Sequence, residues 1–105
     1  MSYRVVFGPE AEGHLDELYG YLARAASPET AARFVDSVIA HCEGLAVFPH
    51  GGRARDDIRP GLRTATYRKR TVIAYAVRDD VVAIIGIFHG GRDYESILGE
   101  DADSE

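Results

Sequence analysis

The stretch Val81-Val82-Ala83-Ile84-Ile85-Gly86-Ile87-Phe88 has no polar residue, and it is bracketed by Asp79-Asp80 and Gly90-Gly91. A strand without polar alternation has both faces covered, so it belongs inside a sheet and not at its rim. It therefore needs a neighbouring strand on each side. Asp79-Asp80 supplies a tight turn back to Thr71–Arg78, which makes one neighbour. The other comes from Tyr3-Arg4-Val5-Val6-Phe7, rich in β-branched and aromatic residues and stopped by Gly8-Pro9.

Between these strands the hydrophobic period changes. Ala11, Leu15, Leu18, Tyr19 and Leu22 recur at helical spacing behind Pro9, with Glu12, Asp16 and Glu17 opposite. Ser27-Pro28-Glu29 then combines an N-cap hydroxyl, a first-turn proline and a carboxylate suited to the positive end of a helix dipole. Ala31, Phe34, Val35, Val38, Cys42 and Leu45 form the stripe of a second helix, closed by Pro49-His50-Gly51-Gly52. Leu62–Tyr67 reads as a further strand, joined to Thr71–Arg78 around Arg68-Lys69-Arg70. The expectation is an α+β fold of order β-α-α-β-β-β, a helical hairpin packed on an antiparallel-rich sheet. Residues 1–98 form one domain on this reading, and 99–105 an acidic mobile tail.

One domain is what 105 residues can support, and 46% apolar with 28% charged residues excludes wholesale disorder. Cys42, the single cysteine, allows no internal disulfide and no thiolate cage; it reads as a buried structural thiol in a reducing compartment. No stretch approaches the roughly 20 apolar residues of a membrane span, and no leader is evident behind Met1, so a cytoplasmic protein is expected. The net charge of −5 is unevenly spread. Arg53, Arg55, Arg59, Arg63, Arg68, Lys69 and Arg70 face only Asp56 and Asp57 in their segment, while both flanks are acidic. Such segregation points to a localised anion-reading surface rather than to sequence-specific nucleic-acid binding.

Most catalytic constellations are missing. His14, His41, His50 and His89 are scattered singly, so neither a metal site nor any other cofactor is expected. There is no Gly-x-Ser-x-Gly elbow. Gly90-Gly91 has the wrong spacing for a phosphate loop, and no long helix is expected after it. The most informative local feature is Ile87-Phe88-His89-Gly90-Gly91-Arg92-Asp93-Tyr94, where a buried strand delivers polar groups at its end. The glycines permit a sharp turn, and Arg92 can make forked contacts with an anion.

Taken in order, several features resemble the RelE/ParE superfamily of bacterial toxins. They are the opening strand into Pro9-Glu10-Ala11, the two-helix hairpin, Pro49, Gly61-Leu62-Arg63, the Tyr75 strand and His89-Gly90-Gly91-Arg92-Asp93. The resemblance covers Tyr3 to about Leu98 and implies a toxin of a type II toxin–antitoxin system with an antitoxin as protein partner. RelE-like members are metal-independent, ribosome-dependent mRNA endonucleases; ParE-like members share the fold but poison DNA gyrase without being enzymes. Cleaving RNA needs a proton-moving group and several cations around the phosphorane. Arg63 and Arg92 could fill two such places, yet Ala65 and Val72 stand where further bases belong, and Tyr94 lies too near Arg92. The ending is similar to ParE. The resemblance therefore implies a gyrase-binding, non-catalytic toxin contacting its target through Arg63, Arg68, Arg70, His89, Arg92 and Tyr94. A ParD-like antitoxin is expected on Leu18, Tyr19, Leu22, Arg55 and Arg59. The alternative is an mRNA endonuclease with His89 or Tyr94 moving a proton.

Overall fold

The structure is a computed structural model that describes residues 2–103. Its first strand, β1, spans Arg4–Phe7, and Gly8-Pro9 turns the chain into helix α1, Pro9–Ala25. Helix α2, Pro28–Gly44, starts as its cap sequence predicts: Ser27 Oγ accepts from the Thr30 N–H at 3.1 Å, and Pro28 occupies the first turn, where no amide donor is needed. Strands β2 (Arg53–Ala54), β3 (Arg63–Tyr67), β4 (Thr71–Arg78) and β5 (Val81–His89) follow, and helix α3 closes the chain at Tyr94–Asp103.

The sheet order is β1-β5-β4-β3-β2. The apolar strand β5 is thus interior, with β4 antiparallel on one side and β1 parallel on the other. The α+β class, the helical hairpin and the placing of the N-terminal strand beside Val81–Phe88 all stand as the sequence led us to expect. The order gains two elements, however: it is β-α-α-β-β-β-β-α. Strand β2 is two residues long, too short to carry a period. Helix α3, ten residues long, is absent from the expected order, which ran from the last strand into an acidic tail. Tyr94, Ile97 and Leu98 pack against the core and Gly99 follows them, so the apolar pattern in its sequence lasts barely one turn. Residues 99–103 of the expected tail have helical backbone, and residues 104–105 lie outside the described residues.

Core residues lie on both faces of the sheet. On one, Ala11 and Leu15 of α1 and Val38 and Cys42 of α2 meet Ile73, Tyr75, Val82, Ile84 and Ile87. On the other, Leu62, Ala74, Phe88 and Leu98 form a smaller cluster under α3. The faces alternate cleanly only up to a bulge: Ala74 pairs with Gly86 but Tyr75 with Ile84, leaving Ile85 extra on β5. Strand β1 also stops here. Its register ends at Phe7 opposite Ile84, and Gly8 N–H donates to the Ile84 carbonyl at 2.9 Å. From Gly86 onward β5 runs past its parallel neighbour, and this overhang positions the site.

Candidate functional site

The overhanging end of β5 needs a partner for its outer edge, and a side chain of α1 supplies it. Ile87 N–H donates to His14 Nδ1 at 3.1 Å, so the imidazole stands in for the missing strand. Gly86 makes room for this: a Cβ there would lie 2.8 Å from the Phe88 ring and 3.2 Å from His14 Cε1. The His14 and Phe88 rings lie 5.0 Å apart at 53°. Burial pushes the His14 pKa below its ordinary value of 6.5; Glu17 and Glu10 oppose this and Arg92 adds to it. With Nδ1 accepting, the neutral ring carries its proton on Nε2.

His89, the last residue of β5, is fixed in another way. Its Nδ1 lies 2.8 Å from Thr71 Oγ1 across the β4–β5 ladder, and its ring meets Phe34 edge-on at 5.5 Å. Burial, and then Arg70, lower its pKa as well. Beyond it Gly90 and Gly91 take φ values of 77° and 85°, which side chains rarely adopt, and the chain turns to bring Arg92 back toward α1. Gly90 N–H donates to the Arg70 carbonyl at 2.8 Å, which ties the end of β5 to the β3–β4 turn.

These elements enclose a cleft of about 330 Å³ lined by Arg70, Ile87, His89, Gly90 and Arg92 on the sheet side. Helix α1 supplies His14, Glu17, Leu18 and Tyr21. Arg70 forms no ion pair among the described residues, and Arg92 has only Glu17, at 4.0 Å, with both side chains at least half exposed. Two guanidiniums and two neutral imidazoles thus sit at the end of a rigid strand, available to an anion. Among the described residues no group of three or more His, Cys, Asp or Glu could hold a metal ion.

The residues singled out from sequence fall into three sets. Arg70, His89, Arg92 and Leu18 meet in the cleft; Leu18 is a buried wall rather than an open surface. Arg68 is exposed at the turn beside it, 5.4 Å over the Tyr67 ring, while Tyr19 is exposed and Leu22 half-buried along α1. The third set is engaged inside the fold. Arg63 Nη2 donates to the His50 and Gly52 carbonyls at 2.7 and 2.8 Å. Arg55 holds Asp57, Glu95 and the Tyr94 hydroxyl at 2.7–3.0 Å, and these partners raise its pKa. Arg59 Nη2 donates to the Leu98 carbonyl at 3.1 Å. His14, Glu17 and Tyr21 were not singled out. Their signal was present, since 14, 17, 18 and 21 share one helical stripe, but His14 was read as a scattered histidine, Glu17 as part of the acidic side, and Tyr21 not at all.

Comparison with known proteins agrees along most of the chain. A family model described as ParE toxin of type II toxin-antitoxin system, parDE, matches residues 5–94. Toxin ParE1 of Mycobacterium tuberculosis (strain CDC 1551 / Oshkosh) is 24% identical over 98 residues, 93% of this chain and 100% of that protein. Toxin ParE3 of Caulobacter vibrioides is 28% identical over 97 residues, 92% and 96% of the two chains. Among solved structures, the chromosomal ParDE TA system from P. aeruginosa matches with a TM-score of 0.74 at 21% identity, over 84% of this chain and 96% of that one. The toxin–antitoxin complex RelBE2 from Mycobacterium tuberculosis matches with a TM-score of 0.61 at 20% identity, over 85% and 99%. These two structural likenesses concern the fold.

Proposed function

Because this chain belongs to the ParE toxin family of type II toxin–antitoxin systems, we propose that it inhibits DNA gyrase by binding and is neutralised in the cytoplasm by a ParD-like antitoxin. The observation that carries this reading is the cleft at the end of β5. Arg70 and Arg92 are exposed there, paired among the described residues only through the 4.0 Å approach of Glu17 to Arg92, and Arg68 stands beside them. Exposed cations on a rigid support favour gripping an acidic surface. The target contacts are then Arg68, Arg70, His89 and Arg92. Arg63 and Tyr94, whose side chains are engaged within the fold away from the cleft, are not among them. The antitoxin covers the outer stripe of α1 at Tyr19 and Leu22 and competes for the same cations.

Purified toxin, freed from its antitoxin, should block supercoiling by gyrase, and Arg92→Gln together with Arg70→Gln should remove that block while leaving the fold intact. Normal supercoiling at saturating toxin would rule the proposal out. A second reading rests on His14 and His89 sharing the cleft with both arginines, since neutral imidazoles beside cations suit metal-free RNA cleavage. It requires scission of transcripts in a translating extract, lost on changing either histidine. The gyrase reading expects those transcripts to stay whole.

A further inference from the structure

The cleft has a chemical preference narrower than positive charge. Its walls differ: Arg70 and Arg92 stand on the sheet side, while Leu18 and Ile87, both nearly buried, form an apolar portion. The Tyr21 ring is 55% exposed beside them. Two anions suit such a guanidinium pair, the carboxylate of a protein side chain and the phosphate of a nucleic-acid backbone.

Three observations favour the carboxylate. Glu17 lines the same cleft, so a run of phosphates would meet a negative charge beside its binding cations. Helix α1 also carries Glu10, Glu12 and Asp16, and the chain has a net charge of −5, which penalises a polyanion more than a single charge. Finally, Leu18 and Ile87 offer burial to something apolar next to the anion, which a sugar–phosphate backbone lacks and a neighbouring side chain provides. We infer that this cleft is a receptor for one carboxylate of a protein partner, its two guanidiniums taking the charge while an adjacent aromatic or branched side chain packs on Leu18, Ile87 and Tyr21. The inference rests on reading this end of the sheet as the toxin's working surface and names the chemistry that surface selects.

The test uses the full chain and small probes followed by NMR at the ring signals of His14 and His89. 3-Phenylpropionate combines a carboxylate with an aromatic group; its amide lacks the charge; inorganic phosphate and a short single-stranded DNA represent the competing anion. The acid should shift both imidazoles in a saturable way, and the amide should bind about tenfold more weakly. Arg70→Gln and Arg92→Gln, both at exposed positions, should each weaken the acid about tenfold while leaving the remaining amide spectrum in place. Equal binding of acid and amide would reduce the cleft to an apolar groove, and phosphate or DNA binding more tightly than the acid would make it a phosphate site. Either result overturns the inference, as does an absence of any shift. The outcome separates from that of the supercoiling assay. A chain that binds the acid but spares gyrase loses its proposed target and keeps this receptor; one that blocks gyrase while ignoring the acid does the reverse.

Discussion

His14 joins the fold to the cleft through a single ring, because the nitrogen that accepts the Ile87 N–H must be unprotonated to do so. Burial holds its pKa below 6.5, against Glu17 and Glu10 and with help from Arg92; His89 is lowered too, by burial and Arg70. In the unfolded chain both rings take protons near 6.5. Between the folded and unfolded pKa values the unfolded state binds more protons, so acid weakens folding. Stability should be full above about pH 6.5 and should fall as pH drops through that value toward the depressed folded pKa values. His14→Gln keeps an acceptor for Ile87 but cannot titrate, so its urea midpoint should vary less between about pH 7.5 and about pH 5 than that of the parent. An identical slope would show that His14 does not carry the effect. Tyr75, fully buried, makes a comparable link, since its hydroxyl accepts from Gly52 N–H at 2.9 Å. Tyr75→Phe should cost about 1 kcal/mol by leaving that amide without a partner. Gly52→Ala should cost about 1–3 kcal/mol, because a Cβ would meet the Tyr75 hydroxyl and come within 2.6 Å of the Thr64 carbonyl. Both values can be read from urea unfolding. The Cys42 thiol, pushed up to about 12 by burial, matches its reading as a structural residue.

The turn joining β3 to β4 is built against local preference. Arg68 and Lys69 sit at φ of 53° and 66° without a glycine between them, and each carries a long cationic side chain into a region that disfavours any Cβ. Strain of this kind beside the cleft is what a demand for cations at the proposed contact surface would leave behind. Lys69→Gly should therefore stabilise the protein by about 1 kcal/mol in urea unfolding, whereas a loss of stability would mean that the lysine side chain supports the turn. Helix α3 is held by contacts of a different sort: Arg55 binds Glu95 and Tyr94, and Arg59 donates to the Leu98 carbonyl. Arg55→Ala should speed amide exchange across α3 and leave β4 and β5 protected. That dependence explains what could be read in advance. Helices α1 and α2 announce themselves through sustained 3.6-residue periods with prolines at their starts and Ser27 capping the second, β5 through its unbroken apolar run between Asp79-Asp80 and Gly90-Gly91, and β4 through the apolar run over residues 72–77 that Asp79-Asp80 ends. Helix α3 has one apolar turn and is fixed by arginines about forty positions away, so no local pattern betrays it. The cleft was half legible for the same reason. His89 and Arg92 stood out because a buried strand and two glycines frame them, and Arg70 because it ends the basic segment, but their opposing wall on α1 becomes visible only when the sheet brings residue 87 to residue 14.

The separation of charge along the chain becomes a separation in space only in part. Arg55, Arg59 and Arg63, from the middle of the basic segment, have polar contacts within the fold, so the segment's apparent strength as a binding surface is reduced. Apart from Arg53, exposed on β2, the exposed cations of the segment gather at one end, where Arg68, Lys69 and Arg70 at the β3–β4 turn stand near Arg92 beyond β5. Although the chain's net charge is −5, an acidic partner approaching this end meets its clustered cations first, and their attraction dominates within a screening length. Association with the proposed antitoxin should then depend on ionic strength through the rate of encounter, while the lifetime of the complex reflects apolar burial along α1 at Tyr19 and Leu22. Raising salt from about 0.05 M to about 0.5 M shrinks the screening length from roughly 14 Å to roughly 4 Å, which should slow association several-fold and leave dissociation nearly unchanged. Arg70→Glu with Arg92→Glu should slow association at low salt and flatten its salt dependence, because the two new carboxylates cancel the remaining charge of Arg68 and Lys69. Tyr19→Ala should do the opposite, shortening the lifetime with the salt slope intact. Stopped-flow association and dissociation rates for the three proteins distinguish these effects; a salt slope that survives the double reversal would place the electrostatic contact elsewhere on the surface.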